Sequence, residues 1–242
     1  MMEFQGVPGM GTVINMIVIV MGGLIGLVAR NYLKARLLET LMAAMSVCIL
    51  FIGFIGAIKE SLAFVDGHFV ANHIMMLVIT FIIGTVIGEI LDLDKKLEQF
   101  GTWLKVKSKN EADGGFIEGF LTTSFTVCIG AMAIIGSIQD ASGNPSILLA
   151  KAMMDGIVVM IMTTTLGKGC IYSAIPVGIV QGAVTLLAVF IAPWLTEQAL
   201  SNISLTGSLM IFLVGVNLLW DKKIRIANML PTLIIAALWA SF

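Results

Sequence analysis

An all-α, polytopic transmembrane helical bundle is the fold class this sequence predicts, and three observations predict it. Of 242 residues, 58% are hydrophobic and only 12% charged, where a soluble domain carries roughly 25% charged residues. The apolar residues gather into long runs, and a helix of about 20 such residues crosses a hydrocarbon core about 30 Å thick. Between the runs lie short charged stretches whose basic residues favour one side of the membrane.

Taken in order, the runs predict about eight spans, at 12–29, 37–58, 73–91, 115–136, 148–166, 171–192, 204–220 and 226–242. The last is short, and little more than Gly167-Lys168-Gly169 joins the fifth to the sixth. Met1 to Met10 holds Glu3 and no Lys or Arg. Such a segment lacks the positive start of a secretory signal, so the first span is expected to remain in the mature protein.

Lys and Arg are retained on the cytoplasmic side during insertion, which orients the spans. Arg30, Lys34 and Arg36 follow span one, and Lys95, Lys96, Lys105, Lys107 and Lys109 follow span three. Lys168 follows span five, and Lys222, Lys223 and Arg225 follow span seven. Twelve of the 14 basic residues thus share one side, with Lys59 and Lys151 at the opposite helix ends. Odd spans run inward and both termini face outside.

Two-helix units recur. Gly22-x-x-x-Gly26 ends span one and Gly84-x-x-x-Gly88 ends span three, each before a charged loop. In the helices that follow, Ser46-Val47-Cys48-Ile49 matches Thr126-Val127-Cys128-Ile129, and Gly56, Lys59 and Glu60 match Gly136, Gln139 and Asp140. A third echo sets Gly215 through Asp221-Lys222-Lys223 beside Gly88 through Asp94-Lys95-Lys96. The units point the same way through the membrane, which makes them parallel repeats. Chance matching of short apolar strings is the alternative.

Residues 92–112 form the one sizeable soluble segment. Leu93, Leu97, Phe100 and Leu104 recur at helical spacing beside Trp103, a pattern that predicts an amphipathic connector on the cytoplasmic membrane surface. Small residues four apart at Gly22/Gly26, Gly84/Gly88, Gly115/Gly119 and Gly178/Gly182 predict close helix packing in lipid, where no hydrophobic force draws helices together. They permit a homo-oligomer without requiring one.

Ionisable groups inside spans are costly and therefore point to function. Lys151 and Asp155 stand one turn apart in span five, able to pair, with Thr163, Thr164 and Thr165 farther along. Lys151 reaching to the outer surface with Asp155 as companion is the alternative. In span four, Glu118, Thr122 and Thr126 form a stripe at four-residue spacing, flanked by Thr123, Ser124 and Gly130. Hydroxyls so arranged suit the wall of a water-filled path, although an acid in a first helical turn also answers the macrodipole. Glu89 lies near the inner end of span three as a coupling or gating candidate, close enough to the loop to snorkel. Asn15, Gln181 and Asn217 are amides suited to interhelical hydrogen bonds or to a ligand.

Pro176 in span six and Pro231 in span eight predict helix breaks that expose backbone carbonyls, with Asn228 one turn before Pro231. The rest of the chain excludes more than it offers. His68 and His73 have only Asp66 near them, and Cys48, Cys128 and Cys170 are unclustered inside spans, so neither a metal site nor a disulfide framework is expected. No P-loop or dinucleotide fingerprint is present, no nucleophile can be paired with a base, and the net charge of -1 gives nucleic acid no purchase. No enzyme activity and no cofactor are expected.

Several ordered motifs carry a likeness. Gly11-Thr12-Val13-Ile14-Asn15 with Gly22-Gly23-Leu24-Ile25-Gly26, Ile87-Gly88-Glu89, Ser146-Ile147-Leu148-Leu149-Ala150-Lys151 leading to Asp155, Ile175-Pro176 with Gln181, and Asn228-Met229-Leu230-Pro231 span nearly the whole chain. Together they resemble the YdfK/YqgA-type family of bacterial membrane proteins. The resemblance implies a domain of unknown function with transport suggested, and it raises Asn15, Glu89, Lys151, Asp155, Gln181, Asn228 and Pro231 above the other polar positions.

These readings converge on a single integral-membrane domain, 1–242, in a bacterial inner membrane, in contact with lipid and with a small polar or charged solute. Its expected function is that of a transporter or channel, with Asn15, Glu118, Thr122, Thr126, Lys151, Asp155, Thr163, Gln181, Asn228 and Pro231 toward the solute and Glu89 and Pro176 in coupling or gating. A structural or regulatory protein that docks a partner through 92–112 is the competing expectation.

Overall fold

The computed structural model describes residues 7–65, 67–110, 113–129, 131–191, 196–220 and 224–240. Asp66, Gly130 and the Asp221-Lys222-Lys223 end of the third sequence echo lie outside the described residues. Helices α1 (Met10–Arg30) and α2 (Ala35–Ser61) precede a hairpin of β1 (Leu62–Val65) and β2 (His68–Ala71). Then come α3 (Ile74–Leu91), α4 (Leu93–Lys107), α5 (Phe116–Cys128), α6 (Ala131–Ala141) and α7 (Ser146–Leu166). A 3-10 turn, Lys168–Ser173, leads into α8 (Ala174–Leu186) and the short α9 (Ala188–Ile191); α10 (Glu197–Trp220) is followed by a second 3-10 turn, Ile226–Met229, and α11 (Pro231–Trp239).

Among the described residues, six helical stretches are long and apolar enough to cross a membrane, and a seventh if α5 and the helix after it form one bent span. At about 1.5 Å per residue, a helix the length of α1 covers the hydrocarbon thickness. Two predicted spans differ from expectation. The fourth, 115–136, is two helices set at 66° to each other and not one straight span. The eighth is a 3-10 turn followed by a nine-residue helix, because Pro231 at its first position starts a new helix and continues none.

The helices are inverted relative to those of a soluble domain. On α1 the buried stripe is Gly11, Thr12, Asn15, Ile19, Gly22, Gly23 and Gly26, whereas Val13, Ile17, Met21, Leu24 and Val28 are exposed. On α3, Met76, Thr80, Gly84 and Gly88 face inward and Ile82, Val86 and Ile90 outward. Small and polar residues inside with branched apolar residues outside is the pattern that lipid selects.

The chain forms two compact units, each assembled from separated segments. The first holds α1, α5, α7, α8, the turn Lys168–Ser173 and most of α6, together with the later part of α4. Here α1 and α7 run together, and a Cβ on Gly22 or Gly26 would collide with the carbonyl oxygens of Gly156 and Met160. The second unit holds α3, α10, the turn Ile226–Met229 and α11, with the later part of α2. In it Gly84 and Gly88 lie against Thr232 and Asn228, above a core of Met76, Leu205 and Ala236. The Gly178/Gly182 pair is split: Gly178 faces the flexible Met16 side chain of α1, and Gly182 has nothing within 4 Å.

The connector is helical over Leu93–Lys107, with Leu104 buried against Phe116 and Phe120. Trp103 remains exposed, stacked on Phe100 at 5.8 Å and capped by the Lys107 ammonium at 4.7 Å. The β1–β2 hairpin pairs Leu62 with Ala71 and Val65 with His68. It is a local departure from helix in the predicted outer loop, and Gly67, just before β2, takes the left-handed conformation at φ 83°, which glycine adopts without steric cost.

Candidate functional site

The charged residues of α7 meet two amides inside the first unit. Lys151 and Asp155 face each other one turn apart, and the ammonium lies 2.8 Å from Asp155 Oδ1. Asn15, from the buried stripe of α1, donates from Nδ2 to Asp155 Oδ2 at 3.0 Å. The same amide donates to Gln181 Oε1 of α8 at 3.4 Å. Three helices therefore meet at the Asn15 amide, which joins Asp155 of α7 to Gln181 of α8, and the close α1–α7 approach at Gly22 and Gly26 brings Asn15 to the carboxylate.

Burial is nearly complete: Asn15 is 0% exposed, Gln181 1%, Asp155 6% and Lys151 8%. The ion pair is thus largely inside the protein, with the Lys151 side chain 11% exposed. Among the described residues, Asn15 Oδ1 and Gln181 Nε2 have no hydrogen-bond partner. Most buried polar groups in proteins are paired, because an unpaired one costs about 1–3 kcal/mol. The cluster consequently holds one vacant acceptor and one vacant donor beside a compensated pair of charges. Cys128, the last residue of α5, lies close enough to Lys151 and Asp155 to sense both charges, which places the pair near the end of an interrupted helix.

A separate polar cluster stands in the second unit. Glu89 of α3 accepts from Asn228 Nδ2 and from Arg225 at 3.3 Å. Asn228 also accepts the backbone N–H of Asp94 at 2.8 Å, an exposed donor in the first turn of α4. Asp92, in the left-handed region at φ 48°, makes the turn between α3 and α4. Asn228 therefore holds that turn, and Arg225 and Glu89 are each about half exposed, at 60% and 48%.

A family model described as "Protein of unknown function (DUF554)" matches residues 10–241. The chain belongs to this family. Two relatives extend over the same length. The uncharacterized membrane protein YdfK of Bacillus subtilis (strain 168) is 27% identical over 226 residues, 93% of each chain. The uncharacterized protein YqgA of Escherichia coli (strain K12) is 25% identical over 231 residues, covering 93% of this chain and 94% of its own. No solved structure matches. The likeness seen in the motifs is thereby shown, and with six apolar helices of spanning length this DUF554 chain is a helical membrane protein.

The structure distributes the other predicted residues of this DUF554 protein differently. Thr163 is fully buried but returns its hydroxyl to the Val159 carbonyl at 2.6 Å, and eight residues along the helix set it about 12 Å from Asp155. Its hydroxyl and that of Thr123 instead flank the Cys170 thiol. The stripe Glu118, Thr122 and Thr126 is not the inward face of α5: Glu118 is exposed and the threonines half-buried, while Gly119, Phe120, Thr123, Ser124 and Val127 are buried. Thr126 is bonded to the Thr122 carbonyl. Four-residue spacing recognises a face but does not say which face turns inward.

Pro176 is the third residue of α8 and Pro231 the first of α11. Each follows a 3-10 turn, and the two junctions share a pattern, Ile171 to Pro176 and Ile226 to Pro231, with Ser173 and Asn228 in corresponding places. Proline in a first turn removes no hydrogen bond of its own α-helix, so both residues start α-helices, although Pro176 stands inside the apolar stretch Lys168–Leu186 that is long enough to cross a membrane. Asn217, the third of the predicted amides, binds both the N–H and C=O of Ile224 and closes the end of α10.

Asp140, which the sequence marks only as the repeat partner of Glu60, has a structural role of its own. Fully buried, its carboxylate accepts the N–H groups of Gly11 at 2.9 Å and Thr12 at 3.2 Å and so caps α1 from 129 residues away. No local spacing announces such a cap. Among the described residues, no group of three or more His, Cys, Asp or Glu is placed to hold a metal ion.

Proposed function

We propose that this DUF554 protein is a transporter or channel of the bacterial inner membrane for a small polar or charged solute, with Asn15, Lys151, Asp155 and Gln181 as its contact site. One observation carries the reading. A buried ion pair is joined by two buried amides that keep a free acceptor and a free donor. Ser173, Asn202 and Thr232 also carry an unpaired buried atom, but only in this cluster do a free acceptor and a free donor stand with a buried ion pair among the described residues, and in a membrane interior unpaired polarity is costly. A solute that completes those hydrogen bonds gives them a purpose. The adjacent end of α5 supports the reading, since interrupted helices offer backbone groups to a guest.

The fuller arrangement belongs to the same proposal. One integral-membrane domain would cross or enter the bilayer about eight times, both termini outside and α4 on the cytoplasmic face. The parallel repeat would extend to the paired 3-10 turn and proline junctions. Its task would be to carry a solute and not to transform one.

A thermal-shift screen of the purified protein against inorganic ions, amino acids, polyamines and carboxylates tests the reading. At least one class should raise Tm in a saturable way, and the Asp155→Asn variant should lose that response. Silence across all classes, or an undiminished response in the variant, defeats the assignment.

A further inference from the structure

The composition of the cluster points to a narrower class of guest. Building on the solute-carrying reading, we propose that the site takes a small zwitterion, with its ammonium against Asp155 and its anionic group against Lys151.

Charge conservation in a buried place is the reason. Lys151 and Asp155 compensate each other at 2.8 Å with side chains only 11% and 8% exposed. A lone cation that took Asp155 would leave the lysine ammonium buried and uncompensated, and a lone anion on Lys151 would leave the carboxylate so. Removing one partner from a buried pair is far more costly than exchanging both. A zwitterion exchanges both: one internal pair opens and two pairs with the guest form, so no charge is stranded.

The amides fit the same guest. Asn15 Oδ1 is a vacant acceptor and Gln181 Nε2 a vacant donor, matched in kind to one ammonium N–H and one oxygen of an anionic group. Asn15 already orients Asp155 through Oδ2, so a guest ammonium bound to Asp155 would arrive beside the amide. Lys151 has a flexible four-carbon stem and can withdraw from Asp155 without backbone movement. A neutral amide solute would answer the two vacant atoms but would leave the ion pair without a role.

The test uses the full-length protein in nanodiscs, with thermal shift and calorimetry. Glycine, β-alanine and 4-aminobutanoate span three charge separations. Ethylamine, acetate, acetamide and sodium chloride present the separate chemistries. The expected result is saturable stabilisation by at least one zwitterion, with affinity about tenfold or more above any single-charge or neutral probe, the scale of one charge-assisted hydrogen bond.

The paired variant Lys151→Met with Asp155→Asn removes both buried charges and strands neither, so it should fold. Its Tm should stay close to that of the native chain while the zwitterion response disappears. Response to ethylamine, acetate, acetamide or salt in preference to every zwitterion overturns this inference and leaves the solute-carrying reading standing. So does a zwitterion response that survives in the paired variant. No response to any probe overturns the inference and counts against the broader reading as well.

Discussion

Asn15 donates a 3.0 Å hydrogen bond to Asp155, a residue 140 positions farther along the chain. The bond ties α1 to α7 at the one place among the described residues where a carboxylate is buried beside a lysine. It also ties local packing to function, because only the glycine contacts of α1 let the two backbones come close enough for so short a side chain to reach.

Loss of that amide should be felt as instability. Asn15→Ala removes the donor to Asp155 Oδ2 and should cost about 1–3 kcal/mol, the usual penalty for a stranded buried acceptor. Thermal unfolding in detergent should show a lower Tm, and Asn15→Asp, which sets a second acid beside Asp155, should lower it further. A Tm unchanged in both would remove Asn15 from the cluster.

Glycine replacements separate contact from composition. Gly22→Ala and Gly26→Ala each drive a methyl into a carbonyl oxygen of α7 and should cost about 1–3 kcal/mol, as overpacking does. Gly182→Ala meets nothing within 4 Å and should change stability by no more than about 0.5 kcal/mol. Equal effects at the three positions would contradict the packing described.

The Asp140 cap makes a third test. Asp140→Ala strips the N–H groups of Gly11 and Thr12 of their acceptor and should cost about 1–2 kcal/mol. Asp140→Asn keeps an oxygen in place and should cost less. Hydrogen exchange at the start of α1 reads the effect directly, faster in the Ala variant than in the Asn variant.

In the second unit, Asn228 should matter more than Arg225 although both contact Glu89. Arg225→Ala breaks an exposed ion pair and should cost no more than about 1 kcal/mol. Asn228→Ala leaves the Asp94 N–H and Glu89 without their shared partner and should cost about 1–3 kcal/mol. Unfolding of the two variants side by side decides the ranking.

Much of this was legible in the chain itself, for reasons that individual residues make plain. Lys151 and Asp155 share one helix at a spacing that forces them together, and the Gly22/Gly26 and Gly84/Gly88 pairs mark backbone contacts that do occur. The Leu93, Leu97, Phe100 and Leu104 pattern identifies the connector helix that forms. What could not be read depends on partners distant in sequence. Asn15 and Gln181 are 166 residues apart, and Asp140 reaches α1 from α6, 129 residues away. The Glu118, Thr122 and Thr126 stripe lies off the packed face of α5, which the sequence could not show because a lipid-embedded helix is apolar on most of its surface and periodicity alone cannot tell the packed face from the exposed one. Pro176 and Pro231 mislead differently: a proline that starts a helix and one that breaks it look alike until the preceding turn is seen.

The central claim is that the cluster around Asp155 can be reached by a solute, and cysteine accessibility tests it most directly. With Cys48, Cys128 and Cys170 replaced by serine or alanine, Gln181→Cys reports on the cluster, and Val159→Cys, at a fully buried apolar position of α7, serves as the dry reference. Membrane-impermeant thiol reagents are applied to intact cells and to inverted vesicles. The account predicts that Cys at position 181 is modified from at least one side while Cys at 159 is not; equal resistance at both positions from both sides would contradict it.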